Sequence, residues 1–178
     1  MDSRSNASSL LDAPLLALDA STTSLRAFLD GPLLVVFLRH YGCIFCRERA
    51  AAVCTHRAAI EQKGASIVFV GNGLPVFARA FATQHADGLP VLSDPSGQSY
   101  QRAGMRSGYS TVLRPAVLKN AWRAFRSGHR QTRVEGDVWQ QGGALLIAGD
   151  GGVLDSQRDC AAGDPIDWPR VLAAIPDV

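Results

Sequence analysis

Leu33-Leu34-Val35-Val36-Phe37-Leu38-Arg39-His40-Tyr41-Gly42-Cys43-Ile44-Phe45-Cys46 joins a continuous apolar run to a pair of cysteines. Six apolar residues without polar alternation, two of them β-branched, suit a strand buried on both faces, as in the interior of a parallel sheet. Past His40-Tyr41-Gly42 the chain becomes alanine-rich and helical in character over 43–62, with Lys63-Gly64 as a stop. Cys43 and Cys46 therefore stand where a buried strand hands over to a helix. A spacing of three places both sulfurs on one face of the first turn, so an intramolecular disulfide is sterically available. The helix N-terminus, with its unsatisfied N–H groups, favours thiolate over thiol. Arg39, His40 and Arg47 lie close in sequence and add to that field. A lowered thiol pKa is the expectation.

Outward from this junction, 66–70 reads as a second strand closed by Gly71-Asn72-Gly73, and Pro75 opens a helix over 76–85. A short strand follows at 89–92, then the turn Asp94-Pro95-Ser96-Gly97. Segments 144–148 and 153–156, separated by Gly149-Asp150-Gly151-Gly152, form a hairpin. A helix over 166–174 closes the chain. Upstream, the capping residues Ser21-Thr22-Thr23-Ser24 precede a short helix that Gly31-Pro32 ends. Residues 1–20 read as a weakly ordered arm whose Leu10, Leu11, Leu15 and Leu16 could dock on a surface. The stretch 99–143 is an insertion with one helix, 116–125. Alternating strands and helices with a terminal hairpin predict one α/β domain over 21–178, with helices on a mixed sheet.

At 178 residues the chain fits a single domain able to bury a core. Its composition is 47% hydrophobic and 19% charged. A net charge of +2, from 18 Lys+Arg against 16 Asp+Glu, gives no reason to expect nucleic acid. Arg114, Lys119, Arg123, Arg126, Arg130 and Arg133 cluster, either as an anion-attracting patch or as a solvated helix face. No apolar run is long enough for a signal or a span, so no membrane partner is expected and the cytoplasm is the default. In that compartment four cysteines point to chemistry or metal rather than to a disulfide scaffold.

A zinc site would need two further ligands, for which His40, His56, Cys54 and Cys160 are the candidates, yet no second paired motif exists. Two inert buried cysteines are another reading. A CxxC beside a βαβ pattern favours redox chemistry, with no metal or bound cofactor. Cys54 lies about 12 Å along the helix from Cys46, too far to bridge, among alanines that suit a small core residue. Cys160 falls in a loop, as an auxiliary thiol or an unpaired cysteine.

The run from Val36 to Glu48 resembles the peroxiredoxin-like branch of the alkyl hydroperoxide reductase/thiol-specific antioxidant superfamily. That branch includes selenoprotein-L-like proteins and prostamide/prostaglandin F synthases. Val70-Gly71-Asn72-Gly73, Ser93-Asp94-Pro95, Gln141-Gly142-Gly143-Ala144 and Ala162-Gly163-Asp164-Pro165 extend the resemblance over about 24–174. It implies a thioredoxin-like three-layer sandwich, a central mixed sheet flanked by helices, carrying a reducible dithiol. By analogy with peroxiredoxins Cys46 takes the peroxidatic position; by analogy with thioredoxin Cys43 attacks. Arg39 stands at the position of the peroxiredoxin proline, and Gly142-Gly143 where an activating arginine or a cis-proline would fall. The paired glycines are read as opening the site to a bulkier substrate. Arg39 and Tyr41 would orient or stabilise a leaving oxyanion, Tyr41 being equally suited to packing.

The expected activity is a thiol–disulfide oxidoreductase or peroxiredoxin-like reductase acting on a small peroxide, endoperoxide or disulfide. An external dithiol such as thioredoxin, or glutathione, would recycle it, and a homodimer is admissible. The alternative is a non-catalytic ligand- or protein-binding module on the same scaffold, using Trp122, Trp139 and the arginines of the insertion.

Overall fold

The computed structural model describes residues 7–108, 115–128 and 139–176. Along the chain these form α1 (Ser8–Leu11), β1 (Leu15–Leu16), β2 (Thr22–Thr23), a 3-10 turn (Leu25–Phe28), β3 (Leu33–Leu38), α2 (Ile44–Gln62) and β4 (Ser66–Gly71). There follow α3 (Pro75–His85), β5 (Val91–Ser93), α4 (Gln98–Arg102), α5 (Pro115–Arg126), β6 (Gly143–Ile147), β7 (Val153–Arg158) and α6 (Trp168–Ala174). The sheet runs β2-β1-β5-β4-β3-β6-β7. β3, β4 and β5 are parallel, while β6 lies antiparallel to β3 and to β7. This is the expected α/β sandwich with a mixed central sheet.

The apolar run forms β3, near the middle of the sheet, and every one of its six side chains is fully buried. Successive side chains alternate faces. Leu34, Val36 and Leu38 pack with residues of α2, α3 and α6. Leu33, Val35 and Phe37 pack with α1, the 3-10 turn and α4. At roughly 1.5–3 kcal/mol per large apolar side chain, this one strand accounts for much of the three-layer packing.

Residues 7–20 are not the weakly ordered arm that the sequence suggested. Leu10, Leu11 and Leu15 are 1% exposed and fill the second face of the sheet. β1 pairs antiparallel with both β2 and β5, extending the sheet at that edge. The face needs an apolar cover, and these leucines supply it. The insertion begins with α4, and Ser107 bridges to Gln140 where the chain returns to β6. Arg114, Arg130 and Arg133 of the basic cluster, and residues 1–6 of the expected arm, lie outside the described residues.

At the C-terminal ends of the parallel strands two buried tyrosines take up backbone carbonyls. Tyr100 donates to Leu38 O at 2.6 Å, with Val70 O at 3.0 Å. The Tyr41 hydroxyl lies 3.0 Å from Leu92 O and 3.0 Å from Ser93 Oγ. Asp94, 1% exposed, accepts from the Ser99 N–H and hydroxyl at 2.7 and 2.6 Å and so holds the start of α4. The tyrosine ring lies directly on Gly71, where a Cβ would overlap it. Gly71→Ala is expected to displace Tyr41 and cost about 1–3 kcal/mol. Urea unfolding measures this; a change within about 0.5 kcal/mol would mean that the ring yields freely.

Candidate active site

Cys43 is the N-cap of α2, with extended backbone (φ −73°, ψ 128°), and Cys46 lies in the first turn. Each is 2% exposed, and both are free thiols. The chain reaches them from β3 through a turn in which the Cys43 N–H donates to His40 O at 3.1 Å. Arg39, the residue after β3, touches both sulfurs. Its backbone N–H donates to Cys46 Sγ at 3.1 Å, and its guanidinium lies 3.9 Å from Cys43 Sγ. The same guanidinium donates to Gln140 O at 3.1 Å, so the returning end of the insertion holds it in place.

These contacts split the two thiols. The hydrogen bond that Cys46 gives to Cys43 is the largest influence holding the Cys43 pKa down, to about 6. The Arg39 cation and the N–H groups of Cys46 and Phe45 add to it, outweighing the opposing effect of burial. Cys46 moves the other way: burial pushes its thiol well above the usual range, and the bond it donates holds its proton further. His40 contributes no charge near neutrality, because burial and the adjacent Arg39 hold it down to about 4.

Beneath the first turn of α2 lies a buried ion pair that the sequence reading missed. Arg49, 8% exposed, donates to Asp159 Oδ1 at 2.6 Å, to Asp164 O at 2.8 Å and to Phe37 O at 3.3 Å. It thus ties α2 to β3 and to the loop after β7. Arg49 acts on both sulfurs electrostatically. Burial holds the Asp159 carboxyl above its usual range despite the neighbouring cation. Arg49 was discoverable as a residue three beyond Cys46 on the same helix face. Asp159 was not, because 110 residues separate the partners.

Gly142 and Gly143 sit beside this pair, yet they do not open the site as expected. A Cβ on Gly142 would come within 2.8 Å of Arg49 Nη1 and 2.9 Å of Asp159 Oδ2. One on Gly143 would overlap Gln157 O and meet Met105. Protein atoms already fill the space, so the glycines permit close approach of strand and ion pair rather than room for a substrate. Tyr41 also departs from the oxyanion role: its hydroxyl is engaged with Leu92, Ser93 and Gly71, and burial pushes its pKa up. It anchors the turn.

A cavity of about 120 Å³ opens next to the first turns of α2, lined by Phe45, Glu48, Arg49, Arg123, Ile166 and Trp168 among others. Cys54 is partly buried against the core, its Sγ 3.8 Å from His85 O. Cys160 is exposed in the loop after β7. Among the described residues no three His, Cys, Asp or Glu side chains gather as metal ligands, so His40, His56, Cys54 and Cys160 do not complete a zinc set with the pair.

A sheet of this order with a buried thiol pair at the N-terminus of its central helix defines a thioredoxin-fold thiol protein. Residues 55–159 match the AhpC/TSA antioxidant enzyme family, and the chain belongs to it. That match begins downstream of Cys46. The chain is 31% identical over 155 residues to the thioredoxin-like protein AAED1, chloroplastic, of Arabidopsis thaliana, covering 82% of this chain and 62% of that one. It is 29% identical over 127 residues to a prostamide/prostaglandin F synthase of Bos taurus, covering 66% and 60%. It thus spans about three fifths of the length of these curated relatives. The fold is similar to that of peroxidoxin BcpB from Mycobacterium tuberculosis, with TM-score 0.70 and 17% identity over 98% of this chain and 96% of that one.

Proposed function

We propose that the protein is a dithiol-dependent reductase of a small peroxide or disulfide, with Cys43 as nucleophile and Cys46 as resolving thiol. The observation that carries this is the placement of the pair: Cys43 is the N-cap of α2 with the Arg39 guanidinium 3.9 Å from its sulfur, a setting that holds its thiol pKa down while burial pushes that of Cys46 up. Family membership supports the thiol chemistry.

The Cys43 thiolate attacks one peroxide oxygen and the O–O bond breaks. The alcohol or water leaves after taking a proton, and Cys43 becomes a sulfenic acid. The Cys46 sulfur, giving up its proton, then attacks the Cys43 sulfur, and a disulfide forms as water leaves. Two electrons pass from the dithiol to the peroxide. With a disulfide substrate the same thiolate forms a mixed disulfide, which Cys46 resolves. Arg39, in contact with both sulfurs, stabilises the thiolate throughout. An external dithiol of the thioredoxin type, or glutathione, returns the pair to the reduced state. Four free thiols suit a reducing compartment, cytosolic or plastidial.

Iodoacetamide labelling across pH tests the assignment. Cys43 is expected to react with a midpoint near 6, and Arg39→Gln to move that midpoint upward. A wild-type midpoint near the ordinary thiol value of about 8.5 would overturn it.

A further inference from the structure

We propose that the exposed face of α5 docks on an anionic lipid bilayer. Leu118, Trp122 and Phe125 recur on one side of this helix and are 77%, 62% and 51% exposed. Asn120 and Ala124, on the opposite side, are 6% and 0% exposed. Spacings of four and three residues place the three apolar side chains in one stripe. Lys119 and Arg126, both exposed, line one edge of it, and α5 contains no Asp or Glu. Arg123 reaches toward α2: it donates to both Glu48 carboxylate oxygens at 2.8 and 2.9 Å and to Gly163 O at 2.7 Å. That pairing holds the roll of the helix, with Leu118 and Trp122 turned outward.

Leu, Trp and Phe on one face with Lys and Arg beside them make up an interfacial helix: the apolar side chains enter the headgroup boundary and the cations meet lipid phosphates. Symmetric pairing of α5 with that of a second copy fits the face poorly, because it would bring Lys119 and Arg126 of both copies together with no acid on the helix to pair them. No helix among the described residues is long and apolar enough to cross a membrane, and surface docking requires no crossing. The Arg123–Glu48 pair joins α5 to the helix that begins at the dithiol, so a docked bilayer lies across α5 from that helix. The surface stands whether or not Cys43 is the nucleophile.

Co-sedimentation with vesicles of phosphatidylcholine, with and without phosphatidylglycerol, tests this. The protein is expected to sediment with the anionic vesicles only, and less as salt rises. Lys119→Gln/Arg126→Gln should weaken partitioning on the order of thirtyfold at low salt. Leu118→Gln/Trp122→Gln should abolish it, with the thermal midpoint and Cys43 alkylation unchanged in both variants. Failure of the wild type to sediment with anionic vesicles overturns the proposal, as does partitioning that neither variant changes. A wild-type dimer that Leu118→Gln/Trp122→Gln converts to monomer, without vesicle binding, assigns the face to a second copy instead.

Discussion

Cys43→Ser is expected to remove turnover of hydrogen peroxide, an organic hydroperoxide and a model disulfide alike, a loss on the order of a thousandfold or more. The serine hydroxyl stays protonated near neutrality, so neither the Arg39 cation nor the hydrogen bond from Cys46 has a thiolate to stabilise. Cys46→Ser should behave differently. Cys43 can still attack once, and without a resolving partner it should accumulate as a sulfenic acid, seen by intact mass as one added oxygen and by trapping with dimedone. The Cys43 pKa should also rise in that variant, because the Cys46 hydrogen bond is its largest source of stabilisation and a serine donor replaces it imperfectly. The reverse pattern, with sulfenic acid on Cys46 in Cys43→Ser, would give the peroxidatic role to Cys46. Unchanged turnover in both variants would leave the dithiol without a part in the reaction, and a binding module would then be the better reading.

Arg49→Met is expected to destabilise the fold by about 3–5 kcal/mol, the cost of leaving a buried charge without its partner. Both side chains of the Arg49–Asp159 pair are 7% exposed, so water cannot take over for the missing group. Asp159→Leu should be similarly costly. The double variant Arg49→Met/Asp159→Leu should recover much of the loss, since an apolar pair of similar volume carries no desolvation penalty. Two carbonyls, Phe37 O and Asp164 O, then lose a donor, so recovery should stop short of the wild type. Urea unfolding of the four proteins gives the coupling energy directly. Strictly additive single effects would show that the two residues do not act as a pair.

Several parts of the structure were legible because the signal is local. An uninterrupted apolar hexapeptide specifies a strand buried on both faces, and Leu33–Leu38 is one. Gly149-Asp150-Gly151-Gly152 carries its own turn chemistry, and β6 and β7 pair around it. The short strands β1 and β2 were missed for the converse reason. Two residues carry no periodicity, and only the uncovered second face of the sheet draws Leu10, Leu11 and Leu15 inward. Gly142 and Gly143 illustrate a different limit. A glycine pair announces close approach, but whether substrate or protein fills the space depends on Arg49, Asp159 and Gln157, which arrive from distant parts of the chain.

For the dithiol the division is clear. The sequence alone determined that Cys43 and Cys46 meet at the start of a helix fed by a buried strand, since strand, turn and helix are contiguous and each follows from its own residues. It could not rank the two sulfurs, because both lie at the helix N-terminus and the dipole acts on both. Only the tertiary structure places different surroundings on them. Burial presses hardest on Cys46, and the Arg39 guanidinium, held by Gln140 O from 101 residues away, reaches Cys43. Desolvation and charge placement depend on what the rest of the chain packs around a group, and no local pattern encodes that.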